Sequence, residues 1–595
     1  MYGSRAVGAH TPGRPAVDAP GEPEEQGSTR VDLVPQSMAP PIDNIPQNAQ
    51  SSGRSAARHG SYRSGFVFGI LSFLSVAAFG VVSTILASRL YGVRIIGEFA
   101  LVSAPVTALW VLSTAKEQAA LIKEITGLPP RHPRVTQLFA AVFTFSSGLT
   151  LVMATLAAVA SWLVFRGPLH SPELVYPAFV SLAGYAIVTN TGWNIDSIFS
   201  AFVAGRQLFW VRLHEIVSFI VIATAIGLAW RSIWGLVIAT IGASLSSLVH
   251  RAIVVRPFVR MHLSRSEYRL GLRALPDLLR FGLKITPGFF AQGISQQAGV
   301  WAIGTVAPLG VVGAYSRAES IPQRFQQVNA RIVEVLYPTL VGRRARGDGL
   351  GFDRALIDSI RYALMVMLLI AAACGGAAHA ILTIFGPGFS RATPALALLL
   401  LYPVLTSIAA TQTQALYAVN RPGTTSIVGL ARLVVVIALT FVLTPKIGII
   451  GPAIALLAGF IVDVIWRTVV LRPFLSQPLR MTWPLRERFA LVLAYAVGFA
   501  ASKLVEHTVT SGKLLMALVA GTMTYACALV ACGGVNSRDR QRLIEAIEMA
   551  RSWRRRRGAS PQPLVQPTLT VDDGAGIAHL SRPELVRHDL DVASE

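Results

Sequence analysis

The chain has 595 residues, 53% of them hydrophobic and only 14% charged, with a mean hydropathy of +0.54. This composition excludes both a string of soluble domains and a wholly disordered chain, and defines a polytopic membrane protein. The formal charge of +22 is spread as arginine over connecting loops, which excludes a nucleic-acid-binding domain, and the three cysteines all fall in apolar segments, which argues against a disulfide framework or a metal cluster.

Residues 1–62 are rich in Pro, Gly, Ser and Ala without hydrophobic periodicity and read as a disordered cytoplasmic tail. The first apolar segment begins near residue 65, too late and too long for a cleaved signal peptide, and is read as a retained helix. Apolar runs bounded by charge give six spans near 66–90, 95–122, 135–165, 173–203, 207–229 and 232–255. A basic stretch with spaced leucines, 257–280, follows and is expected to lie along the anionic inner leaflet. Six more spans come near 281–306, 310–340, 358–386, 393–418, 423–444 and 449–471, and two near 487–507 and 512–533 bring the count to fourteen. The segment 537–557, with Leu543, Ile544, Ile547 and Trp553 ahead of Arg554 to Arg557, reads as a second basic surface element, and the chain beyond Gly558 as disordered.

Alternate loops differ in charge. One set carries Arg54, Arg58 and Arg63, then Lys123, Arg131 and Arg134, Arg206, the cluster from Arg251 to Arg273, Arg343 to Arg346, Arg421, and Arg472 to Arg488; the other holds only isolated cations such as Arg94, Arg166, Arg231, Arg391 and Lys446. Positive charge stays inside, so both termini are expected in the cytoplasm and the protein in the plasma (inner) membrane.

Residues 249–258 read VHRAIVVRPF and residues 465–474 read IWRTVVLRPF, an offset of 216 that pairs Arg251 with Arg467 and Pro257 with Pro473. The same offset carries Gly97-Glu98-Phe99-Ala100 onto Gly313-Ala314-Tyr315-Ser316. A common offset at both ends of a unit predicts an all-α fold of two parallel six-helix bundles, 63–256 and 281–474, followed by two extra helices in 475–534 and a tail from 535 to 595.

Charge inside the spans marks the candidate site. Arg317, Arg324 and Arg331 recur every seven residues, close to two helical turns, and so line one face with Ser320 and Gln327. Each arginine near the bilayer centre costs about 3 kcal/mol unless it faces a cavity, a partner or headgroups, so the ladder points to a water-filled interior that handles anions. Lys284, Gln296 and Gln297 on the preceding span are candidates to complete that pocket, and Lys116 to charge its cytoplasmic mouth. The competing readings are snorkelling for Lys284, end-of-helix pairs for Arg331 with Glu334 and for Lys116 with Glu117, and an interfacial pair for Arg317 with Glu319. Asp196 is the candidate for ion coupling, against a structural role offsetting Arg212. Arg212 with Glu215 and Asp463 with Arg467 have the spacing of local helical pairs. No metal site and no cofactor are expected.

Tyr91-Gly92-Val93-Arg94-Ile95-Ile96-Gly97-Glu98-Phe99-Ala100, Val312-Gly313-Ala314-Tyr315-Ser316-Arg317-Ala318 and Leu336-Tyr337-Pro338-Thr339-Leu340 resemble signatures of the bacterial polysaccharide (O-antigen-type) flippases, a family of the multidrug/oligosaccharidyl-lipid/polysaccharide exporter superfamily. The resemblance covers about residues 62–535. Ile96 stands where an aromatic is usual, and Gln296-Gln297-Ala298-Gly299 lacks the acid of many relatives. The resemblance implies alternating-access translocation of an isoprenoid-diphosphate-linked saccharide, not enzymatic chemistry, with anionic lipids and glycosyltransferases or a polymerase of the same pathway as partners. Competing readings are a peptidoglycan-precursor flippase, a multidrug-type cation antiporter and a non-transporting scaffold. The absence of a G-x-x-x-x-G-K-[ST] phosphate loop argues against ATP hydrolysis by that chemistry.

Overall fold

The computed structural model describes residues 62–113, 117–126, 128–202, 204–260, 262–477, 483–509 and 512–535, with Asp539, Gln541 and Glu548 beyond them. Both tails lie outside the described residues, as do Lys116 and the side chains of Lys284, Gln327, Arg331 and Glu334.

The described chain is helical throughout. The first element, α1 (Tyr62–Leu112), breaks at Gly92, whose φ of 78° and ψ of 168° are open to glycine and closed to residues with a Cβ. The break yields the first two expected spans as two arms, although the second arm stops at Leu112 and the next described residues form a separate short helix, α2 (Glu117–Ile125). Then come α3 (Pro133–Arg166), α4 (Val175–Gly184) joined through a π-helical turn at Tyr185–Thr189 to α5 (Asn190–Ala201), α6 (Gly205–Ala229) and α7 (Ile233–Val255).

The seventh span departs from expectation. Instead of a surface linker followed by a helix near 281, one helix, α8 (Arg265–Val306), runs through both Pro276 and Pro287. Its start is set by a capping box: Ser264 Oγ accepts from the Glu267 N–H at 3.2 Å and Glu267 Oε2 accepts from the Ser264 N–H at 2.9 Å. These bonds hold the Glu267 carboxyl below its usual range. Leu278, Ala274 and Leu275 then pack into the cluster around Leu121, Leu138 and Phe199, so this segment is bound to the first bundle by apolar burial.

The second half continues with α9 (Leu309–Ala345), α10 (Gly349–Gly376), the short α11 (Ala378–Thr383) and α12 (Thr393–Leu399), α13 (Tyr402–Ala418), α14 (Pro422–Ile447) and α15 (Ile450–Leu471). Two trailing helices, α16 (Leu485–Thr508) and α17 (Lys513–Ala531), pack on α10. Ser502 Oγ on α16 donates to Ala373 O at 2.8 Å and Tyr525 OH on α17 to Met365 O at 3.0 Å.

Eleven described segments are long and apolar enough to cross a membrane. The first of these contains the Gly92 break and so makes two crossings, while α8 and α9 have the length but too many polar residues to be counted. Outward faces such as Leu151, Leu156 and Leu163 on α3 or Val221 and Leu228 on α6 are exposed and apolar, as helices in hydrocarbon require.

The halves meet where α1 crosses α9. A Cβ added to Gly97 would lie 1.9 Å from Leu309 O and 3.0 Å from Gly313 N; one added to Gly313 would lie 2.0 Å from Val93 O and 2.9 Å from Gly97 N. Val93 and Leu309, like Gly97 and Gly313, are 216 positions apart in sequence. The contact is therefore reciprocal, each helix offering the same glycine to the same carbonyl of the other.

Candidate translocation site

Successive residues on α9 turn by about 100°, so this helix carries two polar faces. One holds Arg317, Ser320 and Arg324; Tyr315, Glu319 and Gln326 lie on the opposite side.

The cationic face looks at the first bundle. Arg324 Nη2 donates to Gly80 O at 3.1 Å and to Thr84 Oγ1 at 2.8 Å on the first arm of α1. Gly80 leaves room for this approach: a Cβ there would stand 2.5 Å from Arg324 Nη1. Arg317 lies within electrostatic reach of Arg324, and its Nε is buried with no acceptor among the described residues. Arg324 is thus held by neutral oxygens alone among the described residues.

The opposite face looks into the second bundle. Glu319 is only 6% exposed and has no hydrogen bond or ion pair among the described residues. Gln296 Nε2 on α8 donates to Tyr402 OH at 2.8 Å, whereas the neighbouring Gln297 is half-buried without a hydrogen bond among the described residues. Tyr402 stacks edge-on against Phe460 at 4.9 Å, and Arg432 lies 4.4 Å over the other ring's centroid. Asp463, fully buried, binds Arg432 at 3.2 Å and Arg467 at 3.0 Å, and Arg467 Nη1 donates to Thr413 Oγ1 at 2.6 Å.

A second buried cluster ties α5, α6 and α7. Asp196 Oδ1 accepts from Arg251 Nε at 2.8 Å and its Oδ2 from Arg212 Nη2 at 2.6 Å, while Arg251 also binds Glu215 at 2.9 Å and Ser247 Oγ at 2.8 Å. Arg212 therefore pairs with Asp196 rather than with Glu215, because the π-helical turn and α5 bring Asp196 to the face that α6 and α7 share. The Asp463–Arg467 pair is local, as its spacing predicts, but also recruits Arg432 from α14.

Of the residues singled out in sequence, Arg317 and Arg324 come together on the inter-bundle face, Gln296 lies on the Glu319 side, and Asp196 stands in the separate cluster of the first bundle. Sequence reasoning missed Arg432 and the inward aim of Glu319. The signal for Glu319 was available: two residues beyond Arg317 is about 200° around a helix, which places it away from the cationic stripe.

Helices arranged in this way, many of them long and apolar enough to cross a bilayer, define a polytopic membrane fold. Residues 63–342 match the polysaccharide biosynthesis protein family. Among solved structures the chain is similar to "Lipid II flippase MurJ, inward closed conformation", at 14% identity and a TM-score of 0.60 over 78% of this chain and 98% of that one. It is also similar to an inward-facing multidrug resistance MATE family transporter of the MOP superfamily, at 16% identity and a TM-score of 0.53 over 68% and 98%. No curated protein sequence matches the chain. The family match and the shared fold support the resemblance to the polysaccharide flippase family.

Proposed function

We propose that the protein carries an isoprenoid-diphosphate-linked saccharide across the plasma membrane for cell-envelope polysaccharide synthesis, with Arg324 and Arg317 receiving the diphosphate. One contrast carries this reading. The most buried arginines, Arg251, Arg361, Arg432 and Arg467, are each held by a carboxylate, but Arg324 is held by a carbonyl and a hydroxyl and Arg317 Nε by nothing described. A phosphate oxygen offers a guanidinium an opposite charge and a bidentate fit that a carbonyl or a hydroxyl does not. A diphosphate therefore displaces Gly80 and Thr84 from Arg324 and opens that end of the α1–α9 packing, which couples substrate entry to movement of one bundle against the other.

By the sequence reading, Lys284, Arg331, Gln297 and Lys116 belong to the same substrate path, and both termini are cytoplasmic. Asp196, already saturated by two guanidinium groups, acts as a structural tie. Glu319 is the better candidate for ion coupling, since its carboxylate is buried without a counter-ion. A cationic inter-bundle face disfavours organic cations as cargo.

The test is leaflet accessibility of a polyprenyl-diphosphate oligosaccharide in proteoliposomes. Native protein is expected to move the lipid, Arg324→Ala to slow it at least tenfold while still inserting, and Arg324→Lys to retain part of the rate. Native protein that moves no such lipid, or an Arg324→Ala variant at full rate, would overturn the reading. Faster movement of a peptidoglycan precursor than of any oligosaccharide donor would reassign the cargo.

A further inference from the structure

A second site lies at the far end of the trailing helices. There α10 ends at Gly376, α16 ends at Thr508, α17 begins at Lys513 and the segment Phe389–Ala418 begins, so four membrane-spanning segments reach the membrane edge together. Between them is a cleft of about 670 Å³, within the range of roughly 300–1,000 Å³ that small-ligand pockets occupy.

Its chemistry is one-sided. Phe499, Lys503 and His507 follow one another at four-residue steps along α16, and His379 and Lys513 reach the same cleft from α11 and α17. Lys503, Lys513, His379 and His507 have no ion pair or hydrogen bond among the described residues. The one acid in the lining, Glu506, is buried, and its Oε1 is occupied by the Ala380 N–H at 2.5 Å. Positive charge therefore converges on a pocket whose only carboxylate is turned to a structural task. The neighbouring lipid-facing surface is apolar, with Leu504 and Leu515 at 65% and 69% exposure.

We propose that this cleft binds the anionic headgroup of a phospholipid, the phosphate between Lys503 and Lys513, the glycerol against Phe499, and the acyl chains along Leu504 and Leu515. A water-soluble anion has no use for the apolar flank, and a zwitterionic headgroup brings its own cation into an already cationic cleft. The proposal is independent of what the central site carries.

The full-length chain, stripped of lipid in detergent, is titrated with phosphatidylglycerol, phosphatidylcholine or inorganic phosphate and examined by native mass spectrometry. Phosphatidylglycerol is expected to be retained at least fivefold over phosphatidylcholine. Lys503→Gln with Lys513→Gln should lose at least fivefold of that retention, and Lys503→Arg with Lys513→Arg should keep it, all with the lipid-free melting temperature of the native chain. Should the lysine pair fail to fold, the single variants Lys503→Gln and Lys513→Gln give the same reading. Equal retention of both lipids, or unchanged phosphatidylglycerol retention in the folded neutralised variants, overturns the proposal. Displacement of the lipid by millimolar inorganic phosphate assigns the cleft to a free anion and overturns it as well.

Discussion

An arginine buried within a membrane bundle has to be accounted for by what it touches. Arg251, Arg432 and Arg467 are accounted for by Asp196, Glu215 and Asp463, and removal of one member leaves a buried charge uncompensated. Breaking such a pair costs about 3–5 kcal/mol. Asp463→Asn is therefore expected to destabilise the protein by several kcal/mol, read as a lowered denaturation midpoint in detergent, because two guanidinium groups lose their shared anion. Thr84→Val, by contrast, removes one neutral acceptor from Arg324 and should leave stability within about 1 kcal/mol while changing the rate of lipid movement. Were Asp463→Asn harmless, the division between fixed and exchangeable arginines would fail. The Arg317–Arg324 ladder could be read from spacing alone; the partners of Arg251 could not, since Asp196 lies 55 residues away and is delivered by packing.

Among whole elements, the break at Gly92 and the apolar spans follow from local chemistry, a flexible residue between two hydrophobic runs. The start of α8 does not. Its basic, leucine-spaced sequence is compatible with either a membrane surface or the flank of a bundle, and only the apolar cluster around Leu121 and Phe199 decides between them. The capping box makes that start pH-dependent. Glu267 has a depressed carboxyl pKa in the folded chain, so its contribution is present above the ordinary carboxylate value of about 4.3 and is lost as pH falls through the depressed one. Amide exchange over 264–268 should therefore quicken in acid beyond its intrinsic trend, and Glu267→Gln should remove that dependence. The two polar clusters also show how matched positions diverge: Arg251 and Arg467 each bond the residue one turn before them, Ser247 in one half and Asp463 in the other, 216 positions apart. In the first cluster the acid comes instead from Asp196 on α5.

For the molecule as a whole, Gly97 and Gly313 bring the backbones of α1 and α9 together more closely than a Cβ would allow. Reciprocity predicts equal costs: Gly97→Val and Gly313→Val should destabilise the protein by amounts within about 0.5 kcal/mol of each other, and the double variant by less than their sum, because both crowd one contact. Chemical denaturation of the three variants checks this, and strict additivity would refute it. A contact this close also resists sliding and leaves rotation as the motion it permits, which makes it a hinge pin. Arg324 lies eleven residues along α9 from that pin, a lever of about 16 Å at 1.5 Å per residue. A bundle rotation of about 15° would swing the guanidinium by roughly 4 Å, more than the 2.8 Å that now joins it to Thr84. A tilt too small to disturb the pin is thus large enough to open the grip.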